Sequence, residues 1–399
     1  TNLYILINLY ILFLIILIFI IMMNKYFKVY IIYIAWCILL ILPYLIVMHG
    51  CEKHGIENFK EDLLSTSSRD NLLLSTMLKA VGPLENPKRI QTVHRKTIEP
   101  TIDIGGWNNI KMALETIICV AAKYNRSVIV PKPTSWYLVP GDNTHLFDFF
   151  DEESFKSVVP TSDKINSESS YLFEENNCLI KTTSAMQDGD FKKFDTISNF
   201  NNWVIDSRKC RHFTYYTRHF TQNKYDILVN KAFRIRKDII VIACNLLKKH
   251  NLELSKFNAI HIRKGEFQYK DSLWGNDTEG RVISKIKQYV KGMPLLIVSD
   301  EYNKKLIKEL GNIVPRVVCW SKQDIAEPKI APIVDMLCCI PAKHFFGTSL
   351  STFSTGIMQW RGYMKSSGCD IDDKPSFIQE QNFCVSCAGD IEQDTWKNL

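Results

Sequence analysis

The run Ala259-Ile-His-Ile-Arg-Lys-Gly-Glu266 sets one guanidinium, that of Arg263, directly behind a short apolar segment. Arginine suits a diphosphate because its planar fork makes paired, charge-assisted hydrogen bonds and never loses its charge. An ion pair between Arg263 and Glu266 accounts for the same spacing without any ligand. A second segment, Gly347-Thr-Ser-Leu-Ser-Thr-Phe-Ser354, reads as a strand-to-helix turn. Small hydroxyl residues and the amides of a helix N-terminus there form an anion cradle that needs no lysine; a plain Ser/Thr N-cap explains the segment equally well. The third, Gly105-Gly106-Trp107-Asn108-Asn109, is not a GxGxxG fingerprint. Its glycines let a backbone approach a ligand and its Asn108 can cap a helix, although an ordinary turn uses the same residues.

These segments need elements to carry them. Behind Gly105-Gly106, the residues Ile110, Ala113, Leu114, Ile117, Ile118 and Ala121 recur at helical steps and predict one apolar face, followed by a strand over 127–131 that Pro131 stops. Residues 140–201 are loop-rich and acidic and predict no regular element. One long helical stretch over about 225–251 then leads to a strand at 258–262, with Arg263 at its carboxyl end, where α/β sheets place ligands. Alternation continues: strand 294–298, helix 301–310 closed by Gly311, strand 314–319, helix 331–340, strand 344–346 and a helix from Thr352. The pattern is α/β with doubly wound parallel sheets, in two units, 102–250 and 251–368, that meet near residues 225–255 and face a cleft. Residues 51–101, polar and patternless with a Ser/Thr patch at 65–68, read as a stem; 369–399 read as a C-terminal tail.

The 399 residues are 46% hydrophobic and 23% charged, near globular averages, so a disordered chain and a polytopic membrane protein are both excluded. A net charge of +7 comes from lysines and arginines scattered among acids, which argues against a nucleic-acid partner. Two apolar runs, Leu3 to Met23 and Val29 to Met48, flank Lys25 and Lys28, and each reaches the roughly 20 residues that a bilayer span needs. The basic pair ahead of the second run predicts an uncleaved signal-anchor over about 29–48, a single-pass type II topology, and a lumenal chain beyond about residue 50. Two sequons, Asn125-Arg-Ser and Asn276-Asp-Thr, fit that compartment. Of the 12 cysteines, Cys384 and Cys387 form a lone CxxC with no second pair at zinc spacing, so a structural disulfide or idle thiols explain them better than a metal.

Taken together, the three segments resemble the GDP-fucose protein O-fucosyltransferase superfamily over residues 103–364. The family opens its catalytic domain with Gly-Gly-x-Asn-Asn/Gln, as Gly105 to Asn109 does, and follows a strand with His-x-Arg-x-x-Asp/Glu, as His261 to Glu266 does. Asp335, Ser351, Thr352 and Phe353 stand at the spacing of the thrombospondin-repeat branch, while the string Gly265 to Lys270 is closer to divergent members. The resemblance implies a glycosyltransferase of GT-B fold with two Rossmann-like domains; behind the expected N-terminal transmembrane anchor, such an enzyme is expected at the ER or Golgi membrane. It implies inverting transfer of fucose from GDP-fucose to a protein or glycan hydroxyl, with no metal and no cofactor besides that donor. Catalytic roles fall to Arg263, which holds the leaving diphosphate, and to Glu266. Donor binding falls to Gly105, Gly106, Asn108, Asn109, His261, Arg263, Asp335, Ser351, Thr352 and Phe353. Two departures stand out: Glu266 replaces the usual Asp, and the Glu that the thrombospondin-repeat branch carries beside its glycine motif is missing, which leaves the base unassigned. Asp370-Ile-Asp372 lies beyond the matching region. A silent GDP-sugar-binding module, a transferase for another GDP-sugar and a membrane-tethered structural protein are the rival readings.

Overall fold

The computed structural model describes most of residues 68–366; residues 1–67 and 367–399 lie outside the described residues, as do internal stretches of which 163–176, 182–193, 207–219 and 264–279 are the longest. The expected anchor over 29–48, the tail, Asn276, Gly105 and Glu266 therefore fall outside them. Among the described residues, no helix is long and apolar enough to cross a membrane. The chain divides into two compact units, Thr1–Arg69 and Asp70–Leu399. Of the first only Ser68 and Arg69 are described, and the account below concerns the second.

Two four-stranded sheets organise this unit, and every strand pairing in them is parallel. The first has the order β2-β1-β4-β3, with β1 (Thr97–Pro100), β2 (Ser127–Val128), β3 (Asn177–Lys181) and β4 (Asn202–Asp206). Parallel neighbours need a crossover, and α2 (Trp107–Lys123) supplies the one from β1 to β2. The predicted stripe of α2 is buried, yet so are Asn108, Lys111, Glu115 and Thr116 on its other sides. A helix covered all round is a core helix, not an amphipathic surface one.

Three expectations fail in this half. The segment read as a stem instead carries helix α1 (Ser68–Val81), which buries Leu73, Met77, Ala80 and Val81, and β1, whose Ile98 has no exposed surface. Those apolar positions recur at helical spacing, but the polar residues around them dilute the signal. The segment read as featureless contains α3 (Glu152–Val158), begun by Asp151 accepting from Ser154 N at 2.8 Å, and the paired strand β3. The expected long helix over 225–251 is two, α4 (Asn223–Ala232) and α5 (Lys237–Lys249). The break lets Arg234 turn inward, where its guanidinium donates to the Leu78, Lys79, Ala80 and Gly82 carbonyls and so closes the C-terminus of α1.

The second sheet, in the order β7-β6-β5-β8, comprises β5 (Asn258–Ile262), β6 (Leu295–Ser299), β7 (Val317–Val318) and β8 (Phe345–Phe346). Side chains alternate between its faces. Ala259, Leu296, Val298 and Phe345 join the main core; Ile260, Ile262, Leu295, Ile297 and Phe346 pack in a second cluster with Leu306 and Leu310 of α6 (Lys304–Gly311). Each such side chain stabilises the fold by about 1.5–3 kcal/mol. Helix α6 starts later than the predicted Glu301 because Asn303 caps it, accepting from Lys305 N and Leu306 N.

From β5 the chain proceeds to β6 and β7 on one side, whereas β8 returns on the other. The winding therefore reverses between β5 and β8, and such sheets open a crevice at the carboxyl ends of the two strands at that point. Helix α7 (Ala331–Cys339) packs on α5, with Cys338 Sγ 3.6 Å from the Ala243 carbonyl, and α8 (Thr352–Ser366) reaches back to α2. Helix α5, just ahead of the boundary expected at 250/251, packs on α7 of the C-terminal half.

The α2–α8 seam is close and polar. Lys111 and Glu115, each 2% exposed, form an ion pair, and Lys111 Nζ also donates to Gln359 Oε1 at 2.7 Å. Gly356 permits the approach: a Cβ there would meet Asn108 Oδ1 at 2.4 Å and the Met336 methyl at 2.5 Å.

Candidate functional site

Arg263 stands one residue beyond β5, and its backbone is fixed from both neighbouring strands. Its amide donates to Thr348 Oγ1 at 2.9 Å, and the same hydroxyl donates to the His261 carbonyl at 2.9 Å. Ser299, at the end of β6, donates from Oγ to the Ile262 carbonyl at 2.8 Å. The guanidinium donates from Nη1 to Asp300 Oδ2 at 2.7 Å, with the two side chains 24% and 22% exposed. The partner expected from spacing, Glu266, lies outside the described residues; the observed one comes from the adjacent strand.

His261 is 4% exposed and serves as a hub. Its Nδ1 lies 2.7 Å from Ser354 Oγ, which also accepts from Thr348 N at 3.0 Å, and its ring packs on Phe353 with centroids 4.6 Å apart. Burial, with Arg263 nearby, pushes its pKa down to about 3, so the imidazole is neutral at physiological pH. Strand β5 and the first turn of α8 are locked together through this neutral ring. Ser351, 4% exposed, lies just before α8.

Thr352 and the asparagines of the glycine segment meet across the seam. Thr352 Oγ1 donates to Asn109 Oδ1 at 2.6 Å, and Asn108 Nδ2 donates to the Thr352 carbonyl. Asn108 was expected to cap α2. Gly106 occupies the N-cap instead, at φ −67 and ψ 171, and Asn108 lies within the first turn with its amide aimed across the seam at α8. Its Oδ1 is buried without a hydrogen-bond partner among the described residues and packs where Gly356 has no side chain. Gly106 has an extended backbone open to any residue, so no left-handed geometry requires glycine there.

Asp335, half-buried on α7, accepts from Trp320 Nε1 at 2.8 Å. Arg263, His261, Ser351, Thr352, Phe353, Asn108 and Asn109 are thus linked through one hydrogen-bonded and packed assembly around the β5–β8 reversal. Sequence reasoning missed Asp300, Ser299 and Trp320. For Asp300 a signal existed, a polar pair closing an apolar strand next to Arg263's strand. Among the described residues, no group of three or more His, Cys, Asp or Glu side chains is placed to hold a metal ion. A guanidinium and a 15-residue helix's N-terminus with hydroxyls, converging at strand ends, suit an anionic ligand.

The chain is 29% identical over 150 residues to GDP-fucose protein O-fucosyltransferase 2 of Homo sapiens and of Pan troglodytes, a match that spans 35% of this chain and 32% of those relatives' length. Among solved structures, POFUT1 in complex with GDP-fucose is 11% identical at a TM-score of 0.46, covering 68% of this chain and 96% of that one. A mutant of Arabidopsis thaliana FUT1 in complex with GDP is 12% identical at a TM-score of 0.46, covering 72% of each chain. The family model described as GDP-fucose protein O-fucosyltransferase matches residues 101–364, more than half of the sequence and all of the assembly around Arg263, and this chain belongs to that family.

Proposed function

We propose that this protein is a glycosyltransferase of GT-B type that moves fucose from GDP-fucose to a hydroxyl of a protein or glycan acceptor, with inversion and without a metal. The observation that carries the reading is Arg263 at the β5–β8 reversal, held beside the turn that begins α8. As the bond to the sugar breaks, negative charge accumulates on the departing diphosphate. A fixed guanidinium and the amide end of a helix stabilise that charge without reorganising, so they act on the transition state more than on the bound donor. Asp335, oriented by Trp320, contacts the nucleoside in this scheme, and Phe353 packs against it. The chain is placed in the ER or Golgi lumen behind the 29–48 anchor, and the exposed Asn125, on the turn between α2 and β2, is available to carry a glycan there.

The test is transfer from GDP-fucose across a panel of protein and glycan acceptors, with and without EDTA. Transfer or GDP release that survives chelation supports the proposal. Activity abolished by EDTA and restored by manganese contradicts metal independence, GDP binding without turnover identifies a silent module, and turnover of another GDP-sugar alone reassigns the donor.

A further inference from the structure

We propose that Asp300 is a positioning residue that aims the Arg263 guanidinium at the donor diphosphate; the inference rests on the donor reading given above. Ile262 and Ser299 are register partners on the neighbouring parallel strands β5 and β6, so Arg263 and Asp300 are the next pair, side by side at the strand ends. Thr348 and Ser299 fix the arginine's backbone through its amide and the Ile262 carbonyl. Four rotatable bonds separate that backbone from the charge, and on a crest where the side chain is 24% exposed packing alone does not choose among its rotamers. The 2.7 Å bond from Nη1 to Asp300 Oδ2 restrains that choice directly at the charged end.

Magnitudes separate this role from a merely stabilising one. An ion pair with both partners partly open to water contributes little to folding. A charge-stabilising group displaced by about 1 Å, in contrast, costs about a hundredfold in rate. Loss of Asp300 therefore bears on turnover and leaves stability nearly as it was. The cost of the arrangement is a carboxylate near an anionic ligand, which weakens donor binding, so removal of Asp300 lowers turnover without lowering GDP affinity.

The experiment uses the full chain with GDP and GDP-fucose as probes, measuring GDP affinity by calorimetry, GDP release from GDP-fucose, and melting temperature. The variants are Asp300→Ala, Asp300→Asn, Arg263→Ala and the double variant Arg263→Ala with Asp300→Ala. Asp300→Ala is expected to lower kcat by about 10- to 100-fold, with GDP affinity unchanged or improved and melting unchanged. Asp300→Asn keeps an acceptor oxygen of the same shape and should recover part of the lost turnover. The double variant should be no slower than Arg263→Ala alone, because the residue that Asp300 aims is already gone. Wild-type turnover in Asp300→Ala overturns the inference while leaving the donor reading intact, as does a double variant slower than Arg263→Ala by the full Asp300→Ala factor. A wild-type protein that neither binds GDP nor hydrolyses GDP-fucose overturns both.

Discussion

Arg361 and Arg263 sit near opposite ends of the second sheet and show two uses of one side chain. Arg361, 1% exposed, donates from Nη1 to the Ile340 and Ala342 carbonyls at 2.7 Å and to Cys339 at 3.3 Å, and from Nη2 to Lys343 at 3.2 Å, which closes the C-terminus of α7. Arg234 does the same for α1, and burial pushes its pKa down to about 10, which still leaves it charged at neutral pH. Both are matched to clusters of backbone carbonyls where a helix ends. Arg263 stands at the strand ends, partly exposed, beside a carboxylate and a helix N-terminus. Charge buried against backbone holds the fold, whereas charge held at a rim by another side chain fits the proposed donor role.

The comparison can be broken, and the largest effect expected is on the buried side. Arg361→Ala removes the donor shared by the Cys339, Ile340, Ala342 and Lys343 carbonyls, at and just beyond the α7 terminus, and should lower stability by roughly 3–5 kcal/mol, read by urea unfolding. A loss under 1 kcal/mol would show that the turn satisfies itself. Next, Gly356→Ala sets a methyl against Asn108 and Met336 and should cost about 1–3 kcal/mol. Because Asn108 holds Thr352 across the same seam, turnover should fall with it; unchanged melting and unchanged turnover would mean that the seam yields easily.

The third effect is graded with pH and small near neutrality. The folded pKa of His261, about 3, lies below its unfolded value near 6.5, so the unfolded chain takes up a proton that the folded chain refuses. The stability from this residue is complete above pH 6.5 and is lost as pH falls toward 3, by up to about 1.4 kcal/mol for each unit. Unfolding midpoints measured from pH 7 to pH 5 should decline, and His261→Gln should flatten that decline. An equal slope in the variant would assign the acid sensitivity elsewhere.

Most of the second sheet was legible because its strands are covered on both faces and read as continuous apolar runs between clear helices. The candidate site was proposed from a related signal: Arg263, Ser351 and Thr352 interrupt apolar sequence at strand and helix ends. The first half hid more. Strand β1 is four residues long with a glutamate inside it, too short a window for periodicity, and the apolar stripe of α1 is diluted by the polar residues around it. The division of α4 from α5 was invisible because no proline or glycine marks it; Arg234 is charged and reads as surface until its carbonyl partners on α1 are known. Asp300 escaped for the opposite reason, since strand pairing, not sequence proximity, brings it to Arg263.

The central claim is that Arg263 acts on the departing diphosphate, and the most direct measurement is GDP release from GDP-fucose per folded molecule for wild type, Arg263→Lys and Arg263→Ala, alongside GDP affinity and melting temperature. The account predicts that Arg263→Ala loses about 10²–10³ in turnover, the scale of one charge-stabilising donor, while melting stays near wild type and GDP affinity changes far less. Arg263→Lys should recover little, because one ammonium cannot reproduce the fork. Folded Arg263→Ala protein that turns over donor at the wild-type rate, with only its melting temperature lowered, would contradict the account and reduce Arg263 to a strand-end ion pair with Asp300.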